Sequence, residues 1–143
     1  MPHDFPSELE TLIATGWYRV HPAIIATLGD GATIIKYSTI NITVGADTFV
    51  DRLKYAGACK QSLTRAVDRV PIEIWNGDAQ AGLAFIDPVE ALDGAKASYY
   101  RIYGNPSDPD ENYLIEEISG VLVVDPGAGA GDEIVEMTIV SDT

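Results

Sequence analysis

Residues 71–78 read Pro-Ile-Glu-Ile-Trp-Asn-Gly-Asp, and this stretch decides the fold class. Pro71 to Trp75 alternates with the two-residue period of a strand that has one dry and one wet face. Asn76-Gly77-Asp78 is a turn signal that ends it. Pro71 cannot donate to a ladder, so it is expected at the first residue of the strand.

The same pattern extends outward on both sides. Towards the C-terminus, Ala95 to Tyr103 reads as a strand carrying Tyr99, Tyr100 and Tyr103. Tyr113 to Val124 reads as another, with a bend expected at Gly120, and Glu133 to Val140 as the last. Between them, residues 104–112 are expected to form a turn-rich acidic loop, and Pro126 to Gly131 a short connection. Asp87-Pro88-Val89-Glu90 has the form of a short helical turn, with Asp87 as N-cap, Pro88 at the first helical position and Gly94 closing it.

Towards the N-terminus, Leu53 and Tyr55 alternate with Arg52 and Lys54, which favours a strand. Lys60 to Asp68 is read as extended, because Arg65 to Val70 runs directly into Pro71. Ile40 to Val44 and Thr48 to Val50 flank a turn at Gly45-Ala46-Asp47. Trp17 to Leu28 and Thr33 to Tyr37 flank Gly29-Asp30-Gly31, as in a β-hairpin. Ser7-Glu8-Leu9-Glu10 has capping-box form, with Ser7 as N-cap. Leu9, Leu12 and Ile13 follow at helical spacing, and Gly16 is a natural stop. Together these segments predict one mainly β domain over residues 1–143. It is an antiparallel barrel or sandwich with a short N-terminal helix and a second short helical turn.

The 143 residues suit a single domain, and the 46% apolar content is enough for a core. There are 22 acidic and 9 basic residues, giving a net charge of −13. That excludes a nucleic-acid binder working through phosphate neutralisation, which needs a basic footprint. The charge is uneven. Residues 1–71 hold seven acids and seven bases, whereas residues 72–143 hold fifteen acids and only Lys96 and Arg101. Five bases fall close together: Arg52, Lys54, Lys60, Arg65 and Arg69. The single cysteine, Cys59, permits no intrachain disulfide and no thiolate cluster. The N-terminus has neither the basic flank nor the apolar run of a signal peptide, and no stretch approaches a membrane span, so a soluble protein is expected.

Residue chemistry does not assemble a catalytic site. A Ser-His-Asp triad would need His3 or His21 as base, and neither sits in a nucleophile motif. His21 is expected to be a strand residue on a surface or interface. Cys59 is expected to be a small buried hydrophobe. Glu116 and Glu117 are adjacent, so on a strand they face opposite ways, unlike a hydrolase pair. Asp108, Asp110, Glu111 and Asn112 offer oxygen ligands of the kind calcium takes, but without the twelve-residue loop pattern and with prolines interrupting them. A solvated loop is expected there. The run Gly127 to Gly131 lacks the following Lys and helix of a phosphate loop. No enzymatic activity, cofactor or metal is expected.

The order of segments resembles the N-terminal region of tailed-bacteriophage tail-hub and baseplate proteins, including relatives in gene-transfer-agent particles. Four places carry the resemblance. They are the opening helix and strand pair of residues 7–37, then Asp47-Thr48-Phe49-Val50-Asp51-Arg52-Leu53. Next comes Cys59-Lys60-Gln61-Ser62-Leu63 through Val67-Asp68-Arg69 into Pro71 to Asp78. The last runs from Leu92-Asp93-Gly94-Ala95 to Tyr99-Tyr100-Arg101 and continues through Leu114 to Leu122 and Val135 to Asp142. The resemblance implies a β-barrel module that assembles in a ring around a phage axis. Hub proteins usually continue into further domains, whereas this chain ends at Thr143. A small tail, tail-tip, baseplate or head–tail joining component is therefore expected.

In a virion, made in the host cytoplasm, such a module packs against copies of itself and against other tail or connector proteins. DNA can pass through the lumen without specific binding. A head-to-tail ring joins two different patches. Arg52, Lys54, Arg65 and Arg69 are the candidate basic side, and Asp108, Asp110, Glu111, Glu116 and Glu117 the candidate acidic side. Leu9, Leu12 and Ile13 are candidates for docking the helix on a neighbour. The alternative is a ligand- or carbohydrate-binding β-domain without catalysis, with Trp17, Trp75 and the tyrosines as a stacking platform.

Overall fold

In the computed structural model, which describes residues 6–28, 31–57, 68–75, 92–125 and 134–141, the stretch around Pro71 is strand β6, Arg69–Trp75. Val70, Ile72 and Ile74 are buried, as the alternation requires. The strand starts two residues earlier than expected, so Pro71 lies inside it. It is tolerated there because of the direction its backbone faces. The Pro71 carbonyl accepts the Gly57 N–H at 2.8 Å. A strand residue's carbonyl and amide point the same way, so the missing N–H also falls on that flank. The paired neighbour there, β5 (Leu53–Ala56), ends opposite Ile72. The ladder on the other flank, to β9 (Ile134–Ser141), runs unbroken from Arg69–Val140 to Trp75–Ile134.

The remaining strands are β1 (Arg19–Thr27), β2 (Ile34–Ser38), β3 (Ile42–Val44), β4 (Asp47–Asp51), β7 (Lys96–Asn105) and β8 (Asp108–Val124). Among the described residues, these nine strands form one sheet in the order β3-β4-β2-β1-β7-β8-β9-β6-β5. Pairing is antiparallel except between β2 and β4, where Tyr37 meets Val50 and Ser38 meets Asp51 in parallel. The sequence gives no sign of that pair. It arises because β3 reverses the chain after β2 and the Gly45 turn, at φ +60°, reverses it again.

The expected hairpin of residues 17–37 forms as β1 and β2. The expected loop of residues 104–112 does not. The β7–β8 ladder continues almost to the tip, leaving a turn at Pro106-Ser107. Local hydrogen bonds replace a wide loop: Asn105 Oδ1 accepts the Ser107 N–H and Asp108 Oδ1 the Asp110 N–H. The Asp87–Glu90 turn lies outside the described residues. Among the described residues no ladder joins β5 back to β2, so the sheet is one curled layer whose β1 and β2 approach β5.

Helix α1 spans Ser7–Ala14. Its expected capping box is not made. Pro6, with ψ 148°, is the N-cap, its carbonyl accepts the Glu10 N–H, and the Ser7 hydroxyl turns to Glu8. Gly16 ends the turn at φ +73°, a conformation costly for other residues. Leu9 and Leu12 are buried against Tyr103 and Ile115, with Ile13 and Tyr113 beside them. The helix therefore docks on its own sheet. Burying each leucine contributes about 1.5–3 kcal/mol.

Three apolar clusters divide the two faces of the sheet. On one face, Ile24, Tyr99, Ile118, Leu122, Ile139, Ile72 and Leu53 form the main core. The α1 cluster continues that face towards the tip of β7–β8. On the other face, Ala23, Phe49 and Ile102 are buried beneath the β3–β4 hairpin. A bulge lets β8 serve both ends. Tyr99 pairs with Ile118 but Tyr100 pairs with Glu116, so Glu117 is an extra residue in β8. The extra residue keeps Ile115 and Ile118 on the same face despite their odd spacing.

Arg52 ties the sheet's two flanks together. It links β4 to β5 and is only 5% exposed. Its amide donates to Val50 and its carbonyl accepts the Trp75 N–H. Its Nη2 donates to the Trp75 carbonyl, and its guanidinium lies 5.5 Å from the centroid of the Tyr37 ring on β2. One side chain thus joins β6 to β2 across the core. Arg52→Ala should cost about 2–4 kcal/mol by urea denaturation, since it removes a charge-assisted bond and a desolvated cation–π contact. Lys54→Ala, at an exposed pair with Glu73 3.5 Å away, should cost under about 1 kcal/mol. Gly120→Ala should lower stability by about 1–3 kcal/mol in the same assay, because its Cβ would strike the Val140 carbonyl.

Candidate functional site

The structure sorts the charged residues differently from their order in the chain. Asp108, Asp110 and Glu111 stand at the tip of β7–β8. The Tyr113 phenol there is pushed up first by desolvation, then by Glu111, Glu8 and Asp108. Glu8 on α1 therefore reaches the same tip, and this acidic end draws on both halves of the sequence. Glu116 is exposed beside Tyr100, whose phenol is raised by burial and then by Glu116. Glu117 is not part of that surface. Its side chain is 7% exposed and lies 3.5 Å from Arg101 Nε. The two glutamates are thus split between the faces of β8.

The basic stretch is also divided. Arg52 is an internal tie and is not available to a partner. Lys54 is exposed, reaches Glu73 and lies 5.8 Å from the centroid of the Trp75 ring. Arg69 is exposed at the start of β6. Lys60, Arg65 and Cys59 lie outside the described residues. Leu9 and Leu12 are spent on the chain's own sheet, so they offer a neighbour little apolar surface. Among the described residues, no three His, Cys, Asp or Glu side chains come together as a metal cluster. Among the same residues, no helix is long and apolar enough to cross a membrane.

The aromatics do not make a shared platform. Trp17 is 65% exposed ahead of β1, whereas Trp75 ends β6 under Lys54. Strands β7, β8 and β9 separate β1 from β6 in the sheet. Tyr18 stacks at a tilt on Tyr103, 5.9 Å between centroids.

Concavities among the described residues offer other candidates. A groove of about 500 Å³ crosses β5, β6, β9 and β8 on the solvent face. Exposed Tyr55 and Val123 line it with Pro71, and Glu73, Asp125 and Glu136 stand around them. It is an apolar trough with an acidic margin. A smaller cleft of about 190 Å³ lies between the start of β1, the end of β7 and the approach to β3. Arg19, His21, Asn41, Asn105 and Asn112 line it. Sequence reasoning missed this cleft, because its residues are scattered from position 19 to position 112 and form no motif.

No protein-family model matches the chain, and no curated protein matches it in sequence. The fold is similar to a solved one. A chain from the virion of a native gene transfer agent particle superposes with a TM-score of 0.68 at 19% identity. The match covers 96% of this chain and 45% of that one, so this chain spans less than half of its neighbour's length. At that identity the likeness shows a shared fold.

Burial, and after it the neighbouring Arg19, lower the pKa of His21 below the usual 6.5. The unfolded chain therefore takes up the proton first. His21's contribution to stability is present above about pH 6.5 and is lost as pH falls towards the folded value. NMR titration should give a His21 pKa below 6.5 that rises in Arg19→Gln. Urea midpoints should fall between pH 7 and pH 5 by less in His21→Gln than in the parent.

Proposed function

We propose that this protein is a structural component of a tailed-phage-like particle, acting by subunit packing without catalysis. The observation that carries the reading is the fold likeness over 96% of the chain to a virion component. The finer role proposed is a tail, tail-tip, baseplate or head–tail joining subunit, arranged with copies of itself in a ring. The position of the charges supports it. The acidic end at Glu8, Asp108, Asp110 and Glu111 lies apart from the exposed bases Lys54, which pairs with Glu73, and Arg69, at the start of β6. A head-to-tail ring needs two such unlike surfaces. The excess of acid also suits a surface that DNA passes without adhering.

The test is mass by light scattering over a wide concentration range, together with protein identification in purified particles. A ring, or a fixed copy number in the tail, is the expected result. A strict monomer that is absent from every particle would overturn the reading. Arg69→Glu should raise the concentration for half-assembly about tenfold, equivalent to about 1.4 kcal/mol. Added salt should weaken the parent's assembly in the same direction.

A further inference from the structure

The small cleft beside β1 is lined mainly by hydrogen-bond donors, apart from Asn112, whose Nδ2 is spent on the Pro109 carbonyl at 2.9 Å. Asn41 Oδ1 accepts the Asp51 N–H at 2.9 Å, and Asn105 Oδ1 accepts the Ser107 N–H at 2.9 Å. These bonds fix each amide, occupy one lone pair of its oxygen and leave its NH₂ group to donate. Arg19 can only donate, and its Nη2 meets the Pro106 carbonyl at a long 3.4 Å. Asn112 is drawn in close because residue 104 is glycine. A Cβ there would sit 2.8 Å from Asn112 Oδ1.

The charges point the same way. Arg19 and His21 are two residues apart on β1, so they share a face. Among the described residues, neither is in an ion pair with a carboxylate. The charge that acts on His21 is that of Arg19. Acids flank the cleft without lining it: Asp108 and Asp110 on either side of Pro109, Glu111 beside Asn112, and Asp51, whose N–H bonds Asn41. Asp108 is held locally by the Asp110 N–H at 3.0 Å. In a chain of net charge −13, donors and potential cations converge here, and no carboxylate is among the described residues that line the cleft.

We propose that this cleft binds a carboxylate. Arg19 takes its two oxygens, and the Asn41 and Asn105 amides and the His21 ring complete the donor set. The source proposed is an Asp or Glu side chain of a neighbouring protein. That part rests on the assembly reading above, whereas the carboxylate chemistry does not.

The test uses the full chain and follows the His21 ring by NMR while sodium acetate or sodium chloride is added at matched ionic strength. A saturable shift with acetate alone is expected, with a rise in the His21 pKa, since a bound carboxylate favours the imidazolium. Arg19→Gln should weaken acetate binding at least about tenfold. Asn105→Asp, which keeps the acceptor but replaces the donor with a charge, should abolish it. Lys54→Gln, far from the cleft, should bind like the parent. Equal, unsaturated shifts with both salts would overturn the site, and so would parent-like binding by Arg19→Gln.

A second arm separates the two sources of carboxylate. A peptide copying residues 108–112 should bind more tightly than acetate, and its Asn/Gln counterpart should not bind. A peptide no tighter than acetate would overturn the protein source. Failure of the chain to assemble would leave the acetate result standing, so the two readings fail separately.

Discussion

A buried guanidinium holds this sheet in its curl. Arg52 sits where the chain passes from the β2 flank to the β6 flank, and it bonds to both. A cation in an apolar core is costly unless its donors are met. Here Nη2 meets a carbonyl and the guanidinium carbon lies over the Tyr37 ring, while among the described residues Nε has no partner. The main core closes over by apolar burial, and Arg52 bridges the two flanks that approach.

The second constraint is the long β7–β8 hairpin. It runs beneath the main core, past the α1 cluster and out to the acidic tip. A strand of this length would turn the apolar residues of one end to the wrong face if its period were misaligned. The bulge at Glu117 resets the alternation, and its extra carboxylate is folded against Arg101. The same feature that aligns the core removes Glu117 from the acidic surface. The charge available to partners is therefore decided by strand register as well as by composition.

Much of the fold was legible because strands announce themselves locally. Alternation in β6 and β9, the Gly45 turn and the Gly16 helix stop all depend on residues within a few positions of each other. Expectations failed where a distant or directional bond decided the outcome. Ser7 lost the cap to Pro6, whose carbonyl was already placed for Glu10. Pro71 was admitted to mid-strand because its bare nitrogen faces a flank that β5 no longer covers. The acidic stretch became strand because β7 lay beside it, pairing Gly104 with Asn112 and Asn105 with Asp108.

The sequence by itself determined a mainly β domain, a short amphipathic helix at the start, and a strong acid excess concentrated after residue 71. These follow from periodicity, turn chemistry and counting, all of which are properties of neighbours in the chain. Only the tertiary structure decided that Arg52 is internal while Lys54 is exposed, and that Leu9 and Leu12 serve the chain's own core. It alone brought Arg19, His21, Asn41 and Asn105 to one cleft. Alternation says that a side chain changes face at each residue. It cannot say what lies against that face, because the neighbours there are set by pairings between strands far apart in sequence.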